Sequence, residues 1–413
     1  MRLLEPQPAS PTGWERIHFH FFGLEEIRSV RAGWQNLSIR LDWPEVSEVP
    51  QGVIPKLRAP LVRRNARVIC VYDRNDEPVE ASARLRGFEA PSSAELDRMI
   101  LREARRDNRS AYFLGINTLH YGHFLLEALC RAWAWWERGE GRVAVIMSPP
   151  ISDFARSMCE LIPGLAQRLE VLEGTTRFDN VTVASPAFAI ERGAHVEFKA
   201  MCERMAERAV PSLEPMTEQP LYLSRAGLHA ATNRLIVGET RLERFFETEG
   251  FRVVRPETLP ISEQIALFNK HKWIVAPLGS ACHTRLFSRR PVNLVVLAGK
   301  MNRDSDEPFK TNFALCDLLS EGSAHYAKVF SVPDIGAGLN LEGTCPVMLD
   351  EERLLDLLKG FGLIRATAAP DGLPPNLHDY KMKWIEFAKQ KSVRSATTKL
   401  MQAIDSVGAT LQS

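Results

Sequence analysis

Between residues 221 and 298, short apolar runs alternate with amphipathic ones, and few folds accommodate that pattern. LYLS (221–224), FRVVRP (251–256), KWIVAP (272–277) and VNLVVLA (292–298) read as strands. ETRLERFFETEG (239–250), closed by Gly250, SEQIALFNKH (262–271), capped by Ser262, and a segment over roughly 281–288 read as helices. Strands that are apolar throughout are buried on both faces, so helices must cover both sides of the sheet. This predicts an α/β fold with an open, parallel, doubly wound sheet.

A looser version of the pattern precedes it. AYFLGI (111–116), RVAVIM (142–147) and the segments 168–172 and 178–183 read as strands. YGHFLLEALCRAWAWWER (121–138), SDFARSMCELI with Ser152 or Asp153 as cap, and a segment near 196–210 read as helices. Further upstream, RVICVYD (67–73) reads as a strand and SSAELDRMILREARRDNR (92–109) as an amphipathic helix. Pro211, Pro215 and Pro220 mark a hinge. The expected organisation is an α/β domain over 1–214, a second over 215–330, and a helical tail over 331–413 that packs back on the first domain. The cleft between two such domains is the default site.

Composition narrows the partners. A net charge of +1 over 413 residues gives no field that draws the chain to nucleic acid. Arg outnumbers Lys 39 to 13, and guanidinium groups hold phosphates and carboxylates with paired hydrogen bonds. Most of the 39 are expected on solvated helix faces. Seven cysteines, with no C-x-x-C pair, argue against a disulfide framework and fit a reducing compartment. The first 16 residues lack an apolar core of signal-peptide length, and the longest uncharged run, between Arg109 and Glu127, is too polar to span a bilayer. A cytoplasmic protein is expected, with at most a peripheral association at the inner face of the cell membrane.

Three segments carry side chains suited to chemistry. In the first, His123 and Glu127 share a helix face and His120 precedes them by one turn. A carboxylate beside an imidazole fixes its tautomer and suits it to take a proton near neutral pH. The same residues also suit a pair satisfied by backbone at a helix start, or, with His120, His123 and Glu127 pointing one way, three ligands of a metal that lacks a fourth. The second is LYLSR (221–225) with Arg234 and Glu239. Two arginines past the carboxyl end of a strand suit a diphosphate, and Glu239 or Glu243 suits the orienting of one of them. The third is Gly279–Ser280–Ala281 between a strand and a helix, where backbone N–H groups and the helix dipole favour an anion. Asp304–Ser305–Asp306 spells D-x-D, a metal–nucleotide pairing in other transferases, but follows the last strand and reads as a loop.

Taken in order, these pieces resemble the family-61 glycosyltransferases, grouped with bacterial capsular polysaccharide biosynthesis proteins. HYGHFLLE (120–127) matches an Asn-Tyr-x-His-(Trp/Phe) stretch followed by an acid, and LYLSR with Arg234 matches a Tyr-x-Ser-Arg strand with a second Arg. Gly250–Phe251, Glu263–Gln264 and Gly279–Ser280–Ala281 match the Gly-Phe strand, Glu-Gln helix and Gly-(Ser/Ala)-Ala turn. The resemblance covers roughly 110–300. His120, Gly238, Leu278 and Thr284 depart from it, standing where Asn, Asn, His and Asn are usual.

The resemblance implies a GT-B-like fold of two Rossmann-like domains facing a central cleft. It implies inverting transfer from a nucleotide sugar, expected to be UDP-linked, to a glycan or lipid-linked acceptor in surface polysaccharide synthesis, with no required metal or other cofactor. His123 or Glu127 would be the base. Arg225, Arg234, Glu239 and Gly279–Ser280–Ala281 would hold the diphosphate, and Ser262 and Glu263 would edge the nucleoside pocket. Two facing α/β domains also suit a nucleotide-sugar epimerase or a nucleotide-binding scaffold.

Overall fold

The computed structural model describes residues 19–22, 38–40, 44–56, 69–83, 101–117, 119–147, 151–190, 192–228, 235–299, 311–335, 346–371, 374–392 and 398–412. Arg234 and Asp304–Ser305–Asp306 lie outside these residues.

The first half is built on strands β1 (Val46–Pro50), β2 (Arg105–Ile116), β3 (Val143–Met147), β4 (Leu169–Leu172) and β5 (Thr176–Ala184). They lie in the order β1-β5-β2-β3-β4, with Val53–Ile54 adding to β5 to make six strands. The pairs β5–β2, β2–β3 and β3–β4 are parallel, and β1 is antiparallel to β5. An irregular helix, α1 (121–138), follows β2, and α2 (Asp153–Glu160) and α3 (Val196–Ala209) come later.

The second half contains β6 (Leu221–Leu223), β7 (Ile236–Val237), β8 (Arg252–Val254), β9 (Trp273–Pro277), β10 (Asn293–Gly299), β11 (Ala324–Ser331) and β12 (Val347–Leu349). Its helices are α4 (Glu239–Thr248), α5 (Ile261–Lys270), the 3-10 helix α6 (Ser280–Phe287) and α7 (Thr311–Leu318). The order is β8-β6-β9-β10-β11-β12-β7, and the short strand Phe19–Phe22 adds beside β11. All pairs are parallel except β11–β12. In chain order the five strands from β8 to β11 run second, first, third, fourth, fifth. The winding therefore reverses between β6 and β9, and ligands of such sheets sit outside the carboxyl ends of the strands at that reversal.

One apolar core spans the halves: Phe124, Leu125, Leu129 and Phe198 belong to the same buried cluster as Leu223, Ile265, Leu278 and Leu286. Polar clamps reinforce it. Lys199 Nζ on α3 donates to the Leu286 carbonyl at 2.9 Å and to the Ser288 carbonyl, and Arg289 donates to the Val210 carbonyl at 3.0 Å.

Several sequence expectations need correction. The helix expected over 92–109 cannot extend beyond residue 104, because β2 begins at Arg105. The charged residues there alternate along a strand. Asp107 and Arg109, two apart, share a face and pair at 2.7 Å, and Arg109 bonds Glu170 on β4 at 2.6 and 2.9 Å. Of RVICVYD, residues 67 and 68 lie outside the described residues, and 69–73 contribute bridges from Tyr72 to Val53 and Pro78. Neither Ser152 nor Ser262 makes a capping bond, and α5 starts at Ile261 behind Pro260.

The tail packs on the second half, not the first. Arg241 of α4 donates to the Asp371 carbonyl at 2.6 Å and pairs with Glu351 of α8 (Glu351–Gly360). Tyr380, Trp384, Leu400 and Val407 of helices α9 (Leu377–Ser392) and α10 (Thr398–Gln412) share a core with Val237 on the sheet edge. That edge is formed by short strands whose apolar face needs a cover. Among the described residues no helix is long and apolar enough to cross a membrane.

Candidate functional site

Two loops at the winding reversal define the second-half wall of the site. Arg225 follows β6, and Leu278–Gly279 follow β9. Arg225 Nη1 donates to the Leu278 carbonyl at 3.0 Å. A Cβ on Gly279 would fall 2.1 Å from that nitrogen, so the guanidinium occupies the space a side chain would need. Arg225 thus underpins the turn that starts α6.

Glu239 organises the same loop from the first turn of α4. It is 4% exposed, and its carboxylate accepts the Arg225 backbone N–H at 2.6 Å and the Tyr222 and Ser224 hydroxyls, both at 3.2 Å. Burial pushes its carboxyl group up, against the pull of these hydrogen bonds. A phosphate at the end of β6 would compete with this carboxylate for the Arg225 N–H. Glu239 thus positions the loop that carries Arg225. Beside it, Glu243 holds Arg255 with two bonds of 2.8 and 2.7 Å, and that guanidinium keeps the Glu243 carboxyl below its ordinary range.

The first-half wall comes from the loop after β2. Gly115 has φ 114°, a conformation that favours glycine, at a register shift in β2. Its missing side chain lets the backbone of Glu127 and Ala128 approach the strand. The hydrogen-bond pattern of α1 widens over Phe124–Ala128 and tightens over Leu129–Ala134. Widened turns of this kind are frequent at functional sites. The turn carries Glu127, whose side chain is 4% exposed and lies 2.9 Å from Nδ1 of the 39% exposed His123. Nδ1 then carries the hydrogen given to the carboxylate, and Nε2 is the basic nitrogen.

The two walls meet. His120 Nε2 lies 3.4 Å from Ser280 Oγ, and the Tyr121 and Thr284 hydroxyls are 2.8 Å apart. Gly122 packs directly on Ser280 and His283. The rings of His120 and His123 are 5.0 Å apart. A continuous series therefore runs from Glu127 through His123, His120, Ser280 and Gly279 to Arg225. The expected site residues His123, Glu127, Arg225, Glu239, Gly279 and Ser280 come together, with Ala281 as the second residue of α6. Ser262 and Glu263 lie at the start of α5, and no hydrogen bond or ion pair among the described residues ties them to this series.

His283 forms the buried floor. It is 3% exposed, with Nε2 at 3.3 Å from Asn312 Nδ2 and Nδ1 at 3.4 Å from Cys316 Sγ. Burial, then the neighbouring His120 and His123, push its pKa down to about 3, so the ring is neutral. Sequence reading singled out His120 beside His123 but missed Tyr121, His283 and Thr284 as site residues. Helical spacing held the signal, because residues 283 and 284 fall on the same helix side as Ser280. Among the described residues no three His, Cys, Asp or Glu side chains converge as metal ligands, so His120, His123 and Glu127 do not form such a set.

No curated protein matches the sequence. Residues 121–295 match the family model described as Glycosyltransferase 61. The match supports neither the epimerase nor the scaffold reading. It runs from Tyr121 on α1 through Thr284 on α6, across both walls of the site, and supports the protein's being a glycosyltransferase.

Proposed function

We propose that the protein is an inverting glycosyltransferase of GT-B arrangement that needs no metal. It transfers a sugar from a nucleotide sugar, UDP-linked in our reading, to a glycan or lipid-linked acceptor in surface polysaccharide synthesis. One observation carries this reading: the His123–Glu127 pair lies beside the Gly279–Ser280 turn at the winding reversal of the second sheet.

In this reading the acceptor hydroxyl gives its proton to His123 Nε2. Glu127 holds Nδ1–H and stabilises the imidazolium that forms. The acceptor oxygen bonds to the anomeric carbon from the face opposite the leaving group. The bond from that carbon to the diphosphate oxygen breaks, and its electron pair leaves with the diphosphate. A single in-line displacement inverts the anomeric centre. The developing negative charge meets the Ser280 hydroxyl, the N-terminal end of α6 and, from beneath the turn, Arg225.

The test is incubation with a panel of nucleotide sugars, with and without EDTA, followed by release of nucleoside diphosphate and the anomeric configuration of the product. The expected result is release from one donor class, unaffected by EDTA, with an inverted product. No release from any donor, or a retained configuration, would contradict the proposal.

A further inference from the structure

The histidine before α1 faces the second half of the protein. His120 has extended backbone (φ −112°, ψ 122°), and its carbonyl accepts the Phe124 N–H at 2.9 Å, which starts the helix. Its side chain makes no capping bond to that helix. The exposed ring instead reaches across to the second half, with Nε2 at 3.4 Å from Ser280 Oγ. On its other side stands the His123 ring, 5.0 Å away between centroids. His120 is therefore next to both the proton-accepting pair and the first residue of the α6 turn.

A nucleotide sugar with its anomeric carbon near His123 and its diphosphate on the turn must pass its sugar-bearing phosphate between these two points. His120 and Ser280 are the polar side chains that face each other there. We propose that His120 is a catalytic residue of the transfer: a ring N–H, together with the Ser280 hydroxyl, donates to the phosphate that carries the sugar. The ligand class is a diphosphate ester. No proton moves to or from His120; its hydrogen bond strengthens as the phosphate oxygen gains the electron pair of the broken bond. The inference rests on the proposed transferase reading.

Isothermal titration of the full-length protein with inorganic pyrophosphate and with UDP tests the two claims separately. H120A should weaken both ligands by about ten-fold or more, the usual effect of losing a hydrogen bond to a charged group. H120N, which keeps an N–H donor, should recover part of the loss, and S280A should lose affinity alongside it. H378A, at an exposed histidine on α9, controls for a general effect of losing an imidazole. H123A should leave pyrophosphate affinity within two-fold of wild type while losing turnover. A thermal unfolding midpoint unchanged in H120A excludes misfolding, and if it falls, the H120N affinity alone decides. If the His120 variants bind pyrophosphate and UDP as wild type does, while H123A still loses turnover, the His120 proposal fails and the transferase reading stands. If wild type binds neither pyrophosphate nor any nucleoside diphosphate, both fail.

Discussion

Acidification should destabilise this protein through one buried side chain, His283. Its pKa is pushed from the ordinary 6.5 to about 3 by burial and by the His120 and His123 charges above it. Between these values the unfolded chain takes up a proton that the folded ring refuses. The stabilisation is present above pH 6.5 and is lost as pH falls. At pH 7.5 the contribution to the change is negligible; at pH 5 the linkage relation gives a loss of about 2 kcal/mol, more than ten-fold in the folding equilibrium. Urea unfolding of wild type and H283Q at pH 7.5 and pH 5.0 isolates this effect. Gln keeps an acceptor for Asn312 and does not titrate. Other groups with depressed values, such as His271 by burial and Asp107 beside Arg109, titrate in both proteins and cancel. Wild type should lose about 2 kcal/mol more than H283Q over this interval. An equal loss in the two proteins would refute a neutral, proton-refusing floor under the site.

Two substitutions probe how the site is supported. G279A places a methyl group 2.1 Å from Arg225 Nη1, so it should displace the guanidinium from the Leu278 carbonyl and weaken nucleoside diphosphate binding by roughly ten-fold in calorimetry. R225A/G279A should then bind no worse than R225A, because the clash is gone. Arg131 on α1 is 2% exposed and donates to the Ala81, Ser82, Ala83 and Ala184 carbonyls at 2.6 to 3.1 Å. R131M leaves these four acceptors buried and should cost about 3–5 kcal/mol in urea unfolding; a cost under about 1 kcal/mol would contradict this account.

The second half was readable from sequence because its strands are short, apolar and separated by well-marked helices. The strands β6, β8, β9 and β10 and the helices between them fall within a few residues of their predicted places, and Gly250, at φ 84°, ends α4 as expected; the short β7 was not predicted. β11 was missed. It pairs centrally, but AHYAKVFS mixes polar and apolar residues, and His325 and Tyr326 are buried by partners distant in sequence. The first half was harder because β2 begins with a polar stretch, RRDNRS, stabilised by ion pairs to β4 that no local pattern reveals. At the site, His123 with Glu127 was visible as an i, i+4 pair. The contacts of His120, Tyr121 and Gly122 with α6 join residues about 160 apart, and spacing along the chain carries no record of them.

The central claim is that the His123–Glu127 pair removes the acceptor proton while the second half holds the diphosphate. Single-turnover transfer by H123A, with the donor identified from the nucleotide-sugar panel, tests it most directly. Transfer should fall by about 10²–10⁴ with nucleoside diphosphate affinity within two-fold of wild type. Transfer by H123A within a few-fold of wild type would contradict the account.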